Sequence, residues 1–255
     1  MSVDLNELLS GQVFAFMMIF ARVGTFFMLM PGIGEPFVLS RARLMIALAV
    51  TLLLLPVLEP DLPKQPAAVG TMLHLLVIEM IVGLFFGTFL RFLLSALEEA
   101  GHMISMQIGL SNAALFNPAF ATQGSLPGAM LSTVAVLLLF SPDMQRMLLG
   151  GLVSTYGLFR PGVTPEFGDM AQTLSQTAVK VAMIGLQMAI PFVLIGLLLF
   201  VPLGVMNRLM PQLQVLVVAM PLQVGVGLLL FGLTITTMLL FWLRQFESSV
   251  HALLP

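Results

Sequence analysis

Long apolar runs, almost empty of charge, fill most of this chain. They extend from Gln12 to Met30, Leu44 to Leu58, Met72 to Leu97, Leu126 to Phe140 with a resumption from Met147 to Phe159, Ala178 to Met206 and Gln212 to Leu243. In hydrocarbon every backbone N–H and C=O must be satisfied internally, so such runs can only be helices or strands of a closed barrel. Their length and their content of Leu, Met and Ala do not fit alternating barrel strands. The expected class is therefore all-α and membrane-associated. Composition agrees: 9% of the 255 residues are charged, against about 25% in an average soluble domain. So few charges cannot cover a water-facing surface of this size.

The run lengths suit a regular bundle poorly. A span wants about 20 residues at about 1.5 Å each. The second and fourth runs have 15 residues and the sixth has 32, which is roughly 22 Å and 48 Å of helix. Pro191, Pro202 and Pro221 interrupt the last two runs, so kinks or breaks are expected there. The mixture fits hairpins of unequal height, built from long kinked helices. The segments 56–66 and 161–169 read as polar linkers, the second marking the best boundary between two structural units. Basic residues divide four against three between the two sides of a six-pass arrangement, so membrane orientation is left open.

Several function classes are excluded or lack support. Ten basic and twelve acidic residues with no run of like charge provide no stripe for phosphates, so nucleic-acid binding is not expected. Without cysteine there is no disulfide, thiolate zinc site or iron–sulfur cluster. The acidic start, with Asp4 and Glu7, does not read as a cleavable signal peptide. No nucleophile–base constellation or phosphate loop stands out, so neither an enzyme nor a cofactor is expected. Glu98 and His102 stand four apart on a helix, which reads as a solvated helix end rather than a metal site. Gly83 and Gly87 have the spacing that lets helices approach closely, a common pattern in apolar sequence.

Arg22 lies at the middle of the first run, and Glu79 and Arg91 lie inside the third. Each costs roughly 2.5–3.5 kcal/mol at a helix centre on the insertion scale. Glu79 and Arg91 are separated by roughly 18 Å of helix rise and cannot pair along one helix. Each needs a partner on another helix or another chain. They are read as buried inter-helix charges, with a transport path as the alternative. Lys180 is expected near a helix start, snorkelling outward. The chain has 20 Phe and 20 Met but one Tyr (Tyr156) and one Trp (Trp242), so it cannot build an interfacial aromatic belt. Either composition has drifted, or much of its apolar surface faces other protein.

Three segments carry a family resemblance. One is Arg22 to Leu48, with Pro31, Pro36 and Arg43-Leu44-Met45-Ile46-Ala47-Leu48. Another begins at Glu79-Met80-Ile81-Val82-Gly83-Leu84 and continues through Gln107-Ile108-Gly109-Leu110-Ser111 to Asn117-Pro118. The last is Arg208-Leu209-Met210-Pro211-Gln212, followed by Met220-Pro221-Leu222-Gln223-Val224-Gly225. In order and spacing they resemble the FliR family of flagellar biosynthesis proteins, with the injectisome export-apparatus family as the near relation. Arg208, Pro211, Gln212 and Pro221 belong to the most specific part of the pattern.

The resemblance implies a non-enzymatic subunit of the type III protein-export gate in the bacterial inner membrane, at the flagellar basal body. Its implied partners are FliP-like and FliQ-like subunits, an FlhB-like export-switch protein and exported unfolded polypeptides. The implied fold is a FliP-like unit over residues 1–170 fused to a FliQ-like helical hairpin over 171–255. A pore-plug loop is implied at Gly109, Leu110, Ser111, Leu115, Phe116, Asn117, Pro118 and Phe120. The family's Asn-Gly-His-like turn is replaced here by Ser141-Pro142-Asp143-Met144-Gln145, so that turn carries no functional weight. A different class is a small-solute secondary transporter with a midplane site at Arg22, Glu79 and Arg91. It predicts internal symmetry, and the sequence contains no repeat strong enough to use.

Overall fold

A computed structural model describes residues 5–112, 125–209 and 215–253. Every regular element among them is helical. We number the helices α1 (Leu5–Leu29), α2 (Ser40–Leu58), α3 (Val69–Gln107), α4 (Leu126–Leu139), α5 (Pro142–Leu158), α6 (Phe167–Leu209) and α7 (Val215–Leu253). Five of them, α1, α2, α3, α6 and α7, are long and apolar enough to cross a membrane. The α4–α5 pair makes a sixth candidate, bent by 78° at its break. That break falls at Ser141 and Pro142, where proline cannot continue the ladder and instead starts α5 at its first turn.

The helices outrun the apolar runs. α3 continues past Leu97 to Gln107 because its far end is amphipathic. Glu98, Glu99 and His102 are exposed there, while Ala96, Leu97, Ala100 and Ile104 are fully buried. α6 begins at Phe167, well before Ala178, with Met170 and Thr177 turned inward. Lys180 is accordingly the fourteenth residue of α6, not near its start. Its ammonium donates to Ser249 Oγ at 2.7 Å. Prolines 191, 202 and 221 lie inside helices that run through them unbroken. Membrane-type helices tolerate the missing N–H where neighbouring groups satisfy the freed carbonyl.

Contacts group the chain into two units, each discontinuous in sequence. The first takes the described residues up to Phe92, Leu138–Gln176 and those from Val250 onward. Here α1 and the first half of α3 run side by side in the same direction. Arg22 meets Glu79, Thr25 faces Gly83, and Leu29 faces Gly87, so the two helices keep in step along their length. Gly83 permits this approach, since a Cβ there would run into Thr25 Oγ1 and the Arg22 carbonyl. The Gly83–Gly87 spacing is therefore the seam of the helix pair. Phe26 stacks on Phe86 beside it, with centroids 5.2 Å apart.

The second unit takes Leu93–Leu137 and Thr177–Ser249. In it α6 and α7 form an antiparallel pair, with Phe192 against Phe231 and Lys180 against Ser249. The second half of α3 lies along both. Gly185 faces Ala96 and Glu99, Gly196 faces Gln107, and Gly227 faces Ile108. Trp242 is 1% exposed and donates its indole N–H to the Leu93 carbonyl at 2.8 Å. Tyr156 of the first unit is buried as well. Both aromatic residues that could sit at headgroup level are therefore packed inside protein.

Candidate functional site

Arg22 is the centre of the most polar buried cluster in the described residues. It sits on the face of α1 that packs on α3, one turn before Phe26 and Phe27. Its Nε donates to Glu79 Oε2 at 2.6 Å, and both side chains are 1% exposed. Its Nη1 reaches Thr155 Oγ1 at 3.4 Å, and its Nη2 donates to the Phe159 carbonyl at 3.0 Å. The guanidinium lies over the Tyr156 ring, 4.0 Å from its centroid, a cation–π contact. Thr155 passes its own proton to the Leu152 carbonyl at 2.6 Å, leaving its oxygen free to accept. Glu79 Oε1 and Tyr156 Oη are buried with no hydrogen-bond partner among the described residues.

One arginine thus joins α1 to α3 and to the end of α5. The last carbonyls of a helix have no intrahelical partner. Phe159 follows α5 immediately, and Arg22 takes its carbonyl. The guanidinium fork suits this task, because its donors point in several fixed directions. Within the cluster the cation and the anion neutralise each other. Its chemistry is that of a clamp. Arg91 has a different partner: its Nη2 lies 4.0 Å from Glu35 Oε2, and its side chain is 45% exposed.

The remaining sequence-derived residues fall in two places. Gly109 follows α3 in the left-handed region at φ 79°, the usual glycine stop for a helix. Leu110 and Ser111 continue in a short 3-10 turn, and Ser111 Oγ lies 3.2 Å from Ser105 Oγ. Leu115, Phe116, Asn117, Pro118 and Phe120 lie outside the described residues. Arg208 is exposed in the last turn of α6, and Pro221 is exposed within α7. Pro211 and Gln212 lie outside the described residues.

Sequence reasoning gave Thr155, Tyr156 and Gln223 no site role, although Tyr156 stands out as the single tyrosine and Gln223 falls within the family pattern. The signals were present. Tyr156 is the chain's single tyrosine, placed beside a threonine in an apolar helix. Gln223 is a lone amide in a run of Val, Leu and Gly, and it is buried. Its amide donates to the Gln107 carbonyl at 2.8 Å.

Comparison with known proteins gives these residues a setting. Residues 13–249 match the family described as bacterial export proteins, family 1. The chain is 31% identical to the flagellar biosynthetic protein FliR of Caulobacter vibrioides, over 93% of this chain and 94% of the relative. It is 25% identical to flagellar biosynthetic protein FliR of Bacillus subtilis, over 94% and 93%. It is also 28% identical to Yop proteins translocation protein T of Yersinia pestis, over 63% and 62%. A match across nearly the whole chain, together with that identity to a full-length relative, shows that the chain belongs to the bacterial export proteins, family 1.

Proposed function

We propose that this chain is a structural and gating subunit of the flagellar type III protein-export gate. It forms part of a pore wall and plug together with FliP-like and FliQ-like subunits in the bacterial inner membrane. In this reading residues 1–170 are the FliP-like unit and 171–255 the FliQ-like hairpin. An FlhB-like export-switch protein and unfolded export cargo are its further partners. The coarser statement, a membrane component of a type III export apparatus, follows from the family and from relatives named for flagellar biosynthesis and protein translocation.

The observation that carries the reading is the family match over residues 13–249. Surface character supports it. Only 17% of the apolar window in α2 and 22% of those in α6 and α7 is buried within the chain, against 50% and 56% in α1 and α3. Those faces need cover, and the chain's Trp and Tyr are spent inside the protein rather than at a lipid interface. Neighbouring subunits supply such cover. The transporter reading gains no support, since Arg22 and Glu79 neutralise each other and Arg91 turns to Glu35.

The plug is assigned to Gly109, Leu110, Ser111, Leu115, Phe116, Asn117, Pro118 and Phe120. Apolar side chains seal a narrow pore by excluding water from it. Deleting residues 109–120 should leave the assembled complex intact and make the membrane leaky to ions and small solutes. Conductance or solute uptake in cells expressing the whole complex measures this. An unchanged leak with an intact complex would refute the plug.

A further inference from the structure

The end of α3 is held by more built features than a simple connector needs. Gln107 is the last residue of α3, and its carbonyl has no partner within the helix. Gln223, on α7, fills that role: it is 6% exposed, and its Nε2 donates to the Gln107 carbonyl at 2.8 Å. Three glycines make room for the contact. At Gly196 on α6 a Cβ would lie 2.6 Å from Gln107 Oε1. At Gly227 on α7 it would strike the Ile108 side chain. At Gly109 it would lie 3.3 Å from the Gln223 amide, on a backbone already at φ 79°. The gap left between these helices is about 10 Å³, about the space one water needs. An amide in so apolar a helix is costly unless it is bonded.

From this we infer that Gln223 is a positioning residue: by bonding the terminal carbonyl of α3 it fixes where and in which direction the chain leaves that helix into the 109–112 turn. It rests on the plug reading, since this turn is where the proposed plug segment begins. Gln223 acts through Gln107 and Gly109 and need not touch the plug or the cargo. The bond ties α7 to α3, so a shift of α7 along α3 would release the turn. That couples the state of the turn to the packing of the α6–α7 pair.

The test uses the whole co-expressed complex with two variants. Gln223→Leu keeps the volume and loses the donor. Gly109→Ala keeps the donor and strains the turn. Amide hydrogen exchange at residues 108–112 should speed up by about 5- to 30-fold in each, from the lost buried bond in Gln223→Leu and from the strained left-handed backbone in Gly109→Ala, with exchange in the first half of α3 unchanged. Both variants should also raise the small-solute leak, short of the full 109–120 deletion. Unchanged exchange at 108–112 in an intact Gln223→Leu complex would overturn the inference. So would faster exchange with no added leak, in cells where the 109–120 deletion does leak. If the deletion itself fails to leak, the plug reading falls, and local exchange alone decides whether Gln223 positions the turn. If Gln223→Leu fails to assemble, Gln223→Met, which also lacks the donor, decides by the same readouts.

Discussion

Replacing Glu79 with alanine should destabilise this chain by about 3–5 kcal/mol, because it leaves the Arg22 charge buried without its counter-ion. Both side chains are 1% exposed, and the ion pair closes at 2.6 Å. Removing either partner strands the other away from water. Arg22→Ala should be at least as damaging, since it also frees the Phe159 carbonyl and Thr155. The pair itself is not the source of stability that its distance implies. Desolvating two charges offsets most of their attraction, and apolar replacements of similar volume are often neutral or better. The double variant Arg22→Met with Glu79→Leu should therefore recover much of what Glu79→Ala loses. Accumulation and thermal midpoint of the detergent-extracted assembly measure all of these. A Glu79→Ala assembly as stable as the parent would show that the clamp is dispensable.

The second large effect is expected at Gly83. A methyl there meets the Arg22 carbonyl and Thr25 Oγ1, so α1 and α3 must separate. Overpacking of this kind typically costs about 1–3 kcal/mol and occasionally more. The backbone carbonyl cannot swing aside, which places Gly83→Ala at the upper end. Separation would also pull Arg22 from Glu79, so the cost should grow through the clamp. Gly87→Ala should cost less. Its methyl lies 2.8 Å from the Leu29 Cβ and 3.2 Å from the Phe26 carbonyl. Gly150→Ala in α5 meets nothing within 4 Å. It should be neutral or gain up to about 1 kcal/mol from helix propensity. The order Gly83, Gly87, Gly150 in falling damage, read from the same thermal midpoints, checks the parallel α1–α3 seam. Equal effects at all three would remove it.

Much of the architecture is readable from the sequence because apolar runs report burial directly. Each helix contains a run, and the Ser141–Pro142 break is where the backbone loses a donor. Helix ends are harder. A hydropathy reading stops at Glu98 and Glu99, yet the helix needs only one apolar face to continue to Gln107. The start of α6 is hidden in the same way by Asp169, Gln172 and Gln176. Prolines 191, 202 and 221 mislead in the opposite direction, because losing one hydrogen bond does not end a helix that its neighbours hold. Sequence restricts Glu79 to a partner off its own helix. Choosing Arg22 requires the parallel offset of α1 on α3, which packing sets. The Gly83–Gly87 spacing carried the needed signal but looked like many chance patterns. Gln223 was invisible as a positioning residue, because its partner is a backbone carbonyl 116 residues away.

In the proposed function this chain is one subunit of a hetero-oligomeric gate. The most direct test is the intact mass of the detergent-extracted product when the chain is co-expressed with FliP-like and FliQ-like proteins of the same genome. One stable complex of defined mass, containing all three, is the predicted result, and it would supply the copy number of each. A chain that purifies alone as a folded monomer or homodimer, ignoring both partners, would contradict it.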